Sequence, residues 1–181
     1  IRLSLLVLIL LTFYQLFSLD YDCNNYANFH RDFCFLGDTN SPSNDTISIT
    51  AVGDIMLGTN YPNESYLPPN DGKMLLDSVK QFLEKGDITF GNFEGVIGIG
   101  GNPKSCNNPK FCYTFRMPES YISNIKNSGI DLLSIANNHA NDFGIGGRQS
   151  TAKILDSVGL FFAGSIDKPY TIFELNGVKY G

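Results

Sequence analysis

A chain of 181 residues is long enough for one domain with its own hydrophobic core. Its 13 basic and 18 acidic residues leave a net charge of −5, which excludes a general nucleic-acid binder, because that function needs a basic face. A mild acidic excess is compatible with carboxylates gathered around cations, and equally with ordinary solubility.

Residues 2–17 read RLSLLVLILLTFYQLF, one arginine leading an apolar run, and Asp20, Asp22, Asn24 and Asn25 follow. The run is shorter than the roughly 20 residues of a membrane-spanning helix. It reads as a secretory signal peptide or an uncleaved signal anchor, with a buried helix as the remaining alternative. The predicted division is residues 1–19 as signal peptide or anchor, 20–45 as a polar extracellular lead, and 46–181 as the folded domain. A chain that begins with Ile1 and ends with Gly181, directly after a strand-like run, reads as a fragment open at both ends.

The four cysteines suit an oxidising compartment. Local pairing is expected, Cys23 with Cys34 and Cys106 with Cys112, although the sequence leaves the alternative pairings open. The spacings are not those of a zinc knuckle. The triplets Asn44-Asp45-Thr46 and Asn63-Glu64-Ser65 are glycosylation acceptors only in a eukaryotic secretory pathway.

From residue 46 the pattern becomes regular. Thr46–Val52 is β-branched and apolar and predicts a strand that stops at Gly53-Asp54. Lys73–Lys85 places Leu75, Leu76, Val79, Phe82 and Leu83 at helical spacing, with Gly86 as its cap. Asp87–Phe90 is a short strand running into Gly91-Asn92-Phe93-Glu94, and residues 95–116 read as a long loop rich in glycine and asparagine. Pro118 opens a helix that buries Tyr121, Ile122 and Ile125 and ends at Gly129. Asp131–Ala136 is the next strand, residues 148–158 a further helix, and Leu160–Ala163 a fourth strand. Thr171–Leu175 and Val178–Tyr180, joined by Asn176-Gly177, predict a hairpin. This alternation implies an α/β fold, a largely parallel sheet with helices on both faces.

In such sheets ligands bind beyond the carboxyl ends of the strands. Three successive strands end in polar clusters: Asp54; Asn92 and Glu94; and Asn137, Asn138 and His139, with Asp142 three residues further on. Parallel strands bring all three clusters to one edge. Oxygen donors with one imidazole are the ligand set for a hard or borderline divalent metal, Mn, Mg, Fe or Zn. Each residue alone has an ordinary explanation: Asp54 as a turn or cap residue, Glu94 as a solvated carboxylate, the asparagines as strand ends, His139 as structural. Their coincidence at three strand ends is the argument for a shared site. Neither a phosphate loop nor a nucleophile elbow is present, since Gly98–Gly101 is not followed by Gly-Lys-Ser/Thr and no Gly-x-Ser-x-Gly occurs.

The segments AVGDIMLG (51–58), GNFEG (91–95), FRMPE (115–119) and ANNHANDFG (136–144), in this order, resemble the signature blocks of the CapA/PgsA-type capsule synthesis family, named for poly-γ-glutamate biosynthesis. The resemblance covers roughly residues 46–181. That family is related to calcineurin-like metallophosphoesterases, which implies a metallophosphoesterase-like α/β sandwich, incomplete here at the C-terminus, and a metal-dependent hydrolytic site.

Carried over by the resemblance, Asp54, Glu94 and Asn138 would bind one or two divalent ions. His139 would be the general acid, and Asp142 would orient it. Asn92, Asn137 and Arg116 would contact substrate or support the ligands. The Asp-x-His of those enzymes is here Asp54-Ile55-Met56, so one histidine ligand is missing. The implied setting is the extracellular face of the membrane, or secretion, with an anionic polymer or phosphoester as substrate and a membrane-bound polymer synthesis complex as partner. The rival expectation is a non-enzymatic component of surface polymer assembly or export. A third is a secreted carbohydrate- or peptide-binding domain using the cysteine loop, although no aromatic residues are spaced as a stacking platform.

Overall fold

The computed structural model describes residues 46–105, 112–175 and 177–181. The apolar run at residues 2–17, the polar lead and the expected cysteine pairings all fall on or involve residues outside these. No helix among the described residues is long and apolar enough to cross a membrane.

Four strands, β1 (Ile49–Ile55), β2 (Ile88–Phe93), β5 (Leu132–Ser134) and β6 (Phe161–Ala163), form a sheet in the order β1-β2-β5-β6. Every pairing in it is parallel. The class is the expected α/β, with a parallel central sheet. Two short strands between β2 and β5, β3 (Val96–Ile97) and β4 (Arg116–Met117), pair with each other in parallel. The segment expected to be one long loop therefore has ordered ends, held by hydrogen bonds from the Val96 amide to the Phe115 carbonyl (3.1 Å) and from the Gly98 amide to the Met117 carbonyl (3.0 Å). Two-residue strands are too short for alternation to reveal. The C-terminal hairpin, β7 (Phe173–Leu175) with β8 (Val178–Tyr180), is antiparallel as expected.

The helices do not divide between the two faces. Side chains of α1 (Asp77–Leu83), α2 (Ile122–Lys126) and α3 (Gly144–Ser157) join a single core with the strands: Leu83, Ile122, Ile125, Ile154 and Leu155 pack with Leu133 and Phe162. The physical reason is the strand order. Strands added one after another in one direction, through crossovers of one hand, place every connection on the same side. Register shows the two faces directly. Gly91, Leu133 and Phe162 lie in one row and are buried, whereas Phe90, Leu132 and Phe161 in the adjacent row are half-buried. On that second face the hairpin contributes Phe173, stacked on Phe161 with ring centroids 4.3 Å apart.

The first helix is shorter than its periodicity implies. Only Asp77–Leu83 is α-helical; a 3₁₀ turn at Pro69–Gly72 and irregular turns precede it, and no side chain caps its start. Of the expected apolar stripe, Leu83 is buried, but Leu75, Val79 and Phe82 are 48%, 43% and 44% exposed. The outer end of β1 is clasped to β2 by Ser48 and Asp87. The Ser48 hydroxyl and amide both donate to one Asp87 carboxylate oxygen, at 2.6 and 2.8 Å. These bonds, the hydroxyl first, hold the Asp87 carboxyl below its usual value.

One irregularity in β1 positions the site. Ala51 opposes Phe90, yet Asp54 opposes Asn92, so β1 holds one extra residue in this interval, a β-bulge. The bulge places Asp54 beside Asn92 at the strand ends. Gly91 makes room for it, since a Cβ there would overlap the Ile55 side chain and lie 3.0 Å from Val52.

Candidate functional site

The three polar strand ends meet, joined by a continuous run of hydrogen bonds. The Asn92 amide nitrogen donates to an Asp54 carboxylate oxygen at 2.7 Å and to a Glu94 carboxylate oxygen at 2.9 Å. The Asn92 side-chain oxygen accepts from the Asn137 amide group at 3.1 Å. Asn137 also donates to the Phe93 carbonyl (2.7 Å) and accepts from the His139 backbone amide (3.0 Å). Asn137 thus ties the end of β2 to the turn after β5 with its full side-chain amide. This is a positioning role that the sequence alone does not separate from substrate contact.

His139 stands between two carboxylates. Its Nδ1 is 2.8 Å from an Asp142 oxygen, and its Nε2 is 3.7 Å from Glu94. Both His139 and Glu94 side chains retain only about an eighth of their exposure, 13% and 12%, while that of Asp142 is 0% exposed. Asp142 also accepts from the Phe115 amide (2.7 Å) and from Lys104 Nζ (2.5 Å). With those donors engaged, Asp142 is the acceptor and His139 Nδ1–H the donor, which leaves Nε2 facing Glu94 and the rim of the sheet. The Phe115 ring lies against the imidazole, centroids 4.4 Å apart, and fixes its plane.

Of these supporting residues, Phe115 opens the FRMPE block, whereas Lys104 carries no sequence signal of its own. Lys104 arrives from the glycine-rich segment after β3. The close passage of that segment over α3 depends on Gly101, whose φ is +71° and at which a Cβ would overlap the Phe143 carbonyl oxygen. Gly101→Ala is expected to lower the unfolding free energy by about 2 kcal/mol through left-handed strain and overlap. Urea unfolding checks this; a midpoint equal to wild type would show that the segment can lift without cost.

Asn138 is exposed at the mouth of a cleft beside the cluster. Arg116 is engaged elsewhere. Its Nε donates to the Asn60 side chain at 2.8 Å and its guanidinium lies 4.4 Å from the Phe143 ring centroid, so it buttresses β4.

Asp54 and Glu94 are hard oxygen donors of the kind a divalent cation takes, and Asn138 could add an amide oxygen. They fit such an ion in kind and fall short in number: among the described residues, no three His, Cys, Asp or Glu side chains are gathered as a metal cluster. The Asn92 amide group donates one hydrogen bond to one oxygen of each carboxylate.

The profile of the family described as bacterial capsule synthesis protein PGA_cap matches residues 48–181. The PGA biosynthesis protein CapA of Bacillus subtilis is 30% identical over 146 residues, covering 75% of this chain and 36% of its own length. The capsule biosynthesis protein CapA of Bacillus anthracis is 26% identical over 141 residues, 75% of this chain and 34% of its own. An uncharacterized protein of Sinorhizobium fredii, y4sH, is 29% identical over 124 residues, 66% of this chain and 25% of its own. The matched stretch spans about a quarter to a third of the length of these relatives.

Proposed function

Because this chain belongs to the bacterial capsule synthesis protein family, we propose that its strand-end cluster is a hydrolytic site of the metallophosphoesterase kind, serving synthesis of a poly-γ-glutamate capsule. The single observation that supports this most is the convergence of Asp54, Glu94 and the His139–Asp142 pair at one rim of a parallel sheet. A structural role alone does not require a histidine held on one nitrogen by a buried carboxylate with its other nitrogen turned toward an acidic neighbour.

The chain's own groups divide the work. Asp142 holds the imidazole in one tautomer and Phe115 holds its plane, so that Nε2, once protonated, can give its proton to an oxygen leaving the substrate. Asp54, Glu94 and Asn138 would hold a divalent cation, with further ligands coming from the length of the relatives that this chain does not span. Such a cation, when bound, supplies Lewis acidity to a phosphoryl oxygen. Asn92 sets the spacing of the two carboxylates. The setting we propose is the outer face of the membrane, within a polymer synthesis complex acting on an anionic polymer or a phosphoester.

A second reading, a non-enzymatic component of polymer assembly or export, is favoured by one specific observation: the Asn92 amide already bridges both carboxylates. Asp54→Ala and Glu94→Ala in the full-length protein in its own host separate the two. The hydrolytic reading expects capsule polymer to fall to background at unchanged protein level, and calorimetric Mn titration of the purified protein to lose its binding signal. Normal polymer yield in both variants would leave the scaffold reading standing.

A further inference from the structure

The carboxylate that holds His139 is itself held by a residue of opposite charge. The Asp142 side chain is 0% exposed, and its two oxygens divide their partners. Oδ2 accepts from the Phe115 amide at 2.7 Å and lies 2.8 Å from His139 Nδ1. Oδ1 accepts from Lys104 Nζ at 2.5 Å, and the Lys104 backbone amide donates to the Asp142 carbonyl at 2.7 Å. Lys104 therefore grips Asp142 twice, by main chain and by side chain, from 38 residues away in the sequence. Its own side chain stays 35% exposed, so the ammonium keeps part of its hydration while it neutralises a carboxylate that has none.

These partners do different work. An ionised Asp142 accepts the Nδ1–H of the imidazole. A neutral Asp142 would instead donate its O–H to Nδ1, and the ring hydrogen would move to Nε2. The Phe115 amide does not choose between the two, because an oxygen of the neutral acid accepts an N–H as well. Burial alone favours the neutral acid. A cation in contact favours the ionised form, and the more so where water is excluded. Apart from the imidazole, Lys104 is the group against Asp142 that carries such a charge among the described residues. Arg116 and Arg148 donate to Asn60 and Asn141 instead.

We propose that Lys104 is a positioning residue of the strand-end cluster: its ammonium keeps Asp142 an ionised acceptor, which fixes the imidazole hydrogen on Nδ1 and turns Nε2 toward Glu94 and the rim. The hydrogen-bond arrangement stands whatever the site is used for. Its consequence, a ring aimed at an oxygen leaving the substrate, rests on the hydrolytic reading. The glycine-rich segment after β3 is thereby part of the site, since it delivers the charge on which the orientation of His139 depends.

The test is NMR of the full-length protein with nitrogen-15-labelled histidine, at about pH 8, where an ordinary imidazole is neutral. Wild type is expected to show a slowly exchanging Nδ1–H resonance, identified as that of His139 by its loss in His139→Phe. Lys104→Met is expected to lose this resonance and to carry the ring hydrogen on Nε2. Circular dichroism reports folding. If Lys104→Met does not fold, Lys104→Gln, which keeps an amide donor and loses the charge, decides by the same resonance. In hydrolysis of a model phosphodiester, kcat of the folded variant is expected to fall by about 10- to 100-fold, the usual cost of losing such a supporting partner, with KM little changed. A wild-type ring hydrogen on Nε2, an Nδ1–H resonance retained in a folded Lys104 variant, or a raised KM at unchanged kcat would each overturn the assignment. The resonance lost in Lys104→Met, with the wild type inert toward the phosphodiester, would uphold the positioning role and end the hydrolytic reading instead.

Discussion

Asp142→Ala is expected to be the most destabilising of the substitutions considered, lowering the unfolding free energy by about 3–5 kcal/mol. Its carboxylate is fully buried and accepts from the Phe115 amide, Lys104 Nζ and His139 Nδ1. Removing it takes away the acceptor of the Phe115 amide and of the imidazole Nδ1–H, together with one partner of Lys104. An uncompensated donor in a buried position costs more than the net worth of the bond it lost. The damage also spreads beyond the residue itself, because Lys104 and Phe115 belong to the segments that flank β3 and β4, and Asp142 is where both meet the turn before α3. Asp142→Asn is expected to lie between wild type and alanine, since it keeps one acceptor oxygen but turns an amide group toward His139 or Lys104. Equilibrium urea unfolding of the three proteins measures this ordering. A loss below about 1 kcal/mol for alanine, within the range of an ordinary surface change, would mean that the buried carboxylate does not organise the site as described.

His139→Phe is expected to abolish function while leaving the fold in place. The ring of Phe preserves the stacking against Phe115 at 4.4 Å, and with it the packing of the turn after β5. What it removes is the Nε2 that the hydrolytic reading uses for proton transfer and the Nδ1–H donated to Asp142. General acid or base groups contribute about 100- to 10,000-fold to the reactions they serve, so hydrolysis of a model phosphodiester by the full-length protein is expected to fall by that factor. Capsule polymer in the host is expected to fall with it, at equal protein level and with a melting temperature shifted by only a few degrees. Normal polymer and unchanged hydrolysis in a folded His139→Phe protein would end the hydrolytic reading. A variant that makes no polymer and has also lost its thermal transition would say only that the turn needs the imidazole, and His139→Gln, which can still donate to Asp142, then serves as the deciding protein.

The alternation of strands and helices was legible because it depends on local chemistry: β-branched runs such as Thr46–Val52, helical spacing, and glycine after the last apolar residue. The polar strand ends were legible for the same reason, with Asp54, Asn92, Glu94 and His139 each following an apolar run, and a general rule for parallel sheets sufficed to predict that they meet. The boundaries moved where long-range contacts decide. The first strand runs to Ile55 rather than Val52, since its pairing with β2 continues past a bulge that no residue pattern marks. The first α-helix is confined to Asp77–Leu83, and its apolar residues Val79 and Phe82 stay largely exposed.

What the sequence by itself determined, then, is the inventory: a parallel α/β domain whose strands end in carboxylates, amides and one histidine. Roles were decided by the tertiary structure alone. Asn137 is a clamp because both its oxygen and its nitrogen are spent on neighbours; Arg116 is a buttress because Asn60 and Phe143 hold it. Lys104 joins the site from a segment that looks ordinary when read in line. The reason is physical. A residue's chemical type is a property of its own position, whereas its hydrogen-bond partners and its burial belong to whatever the folded chain brings within about 3 Å of it.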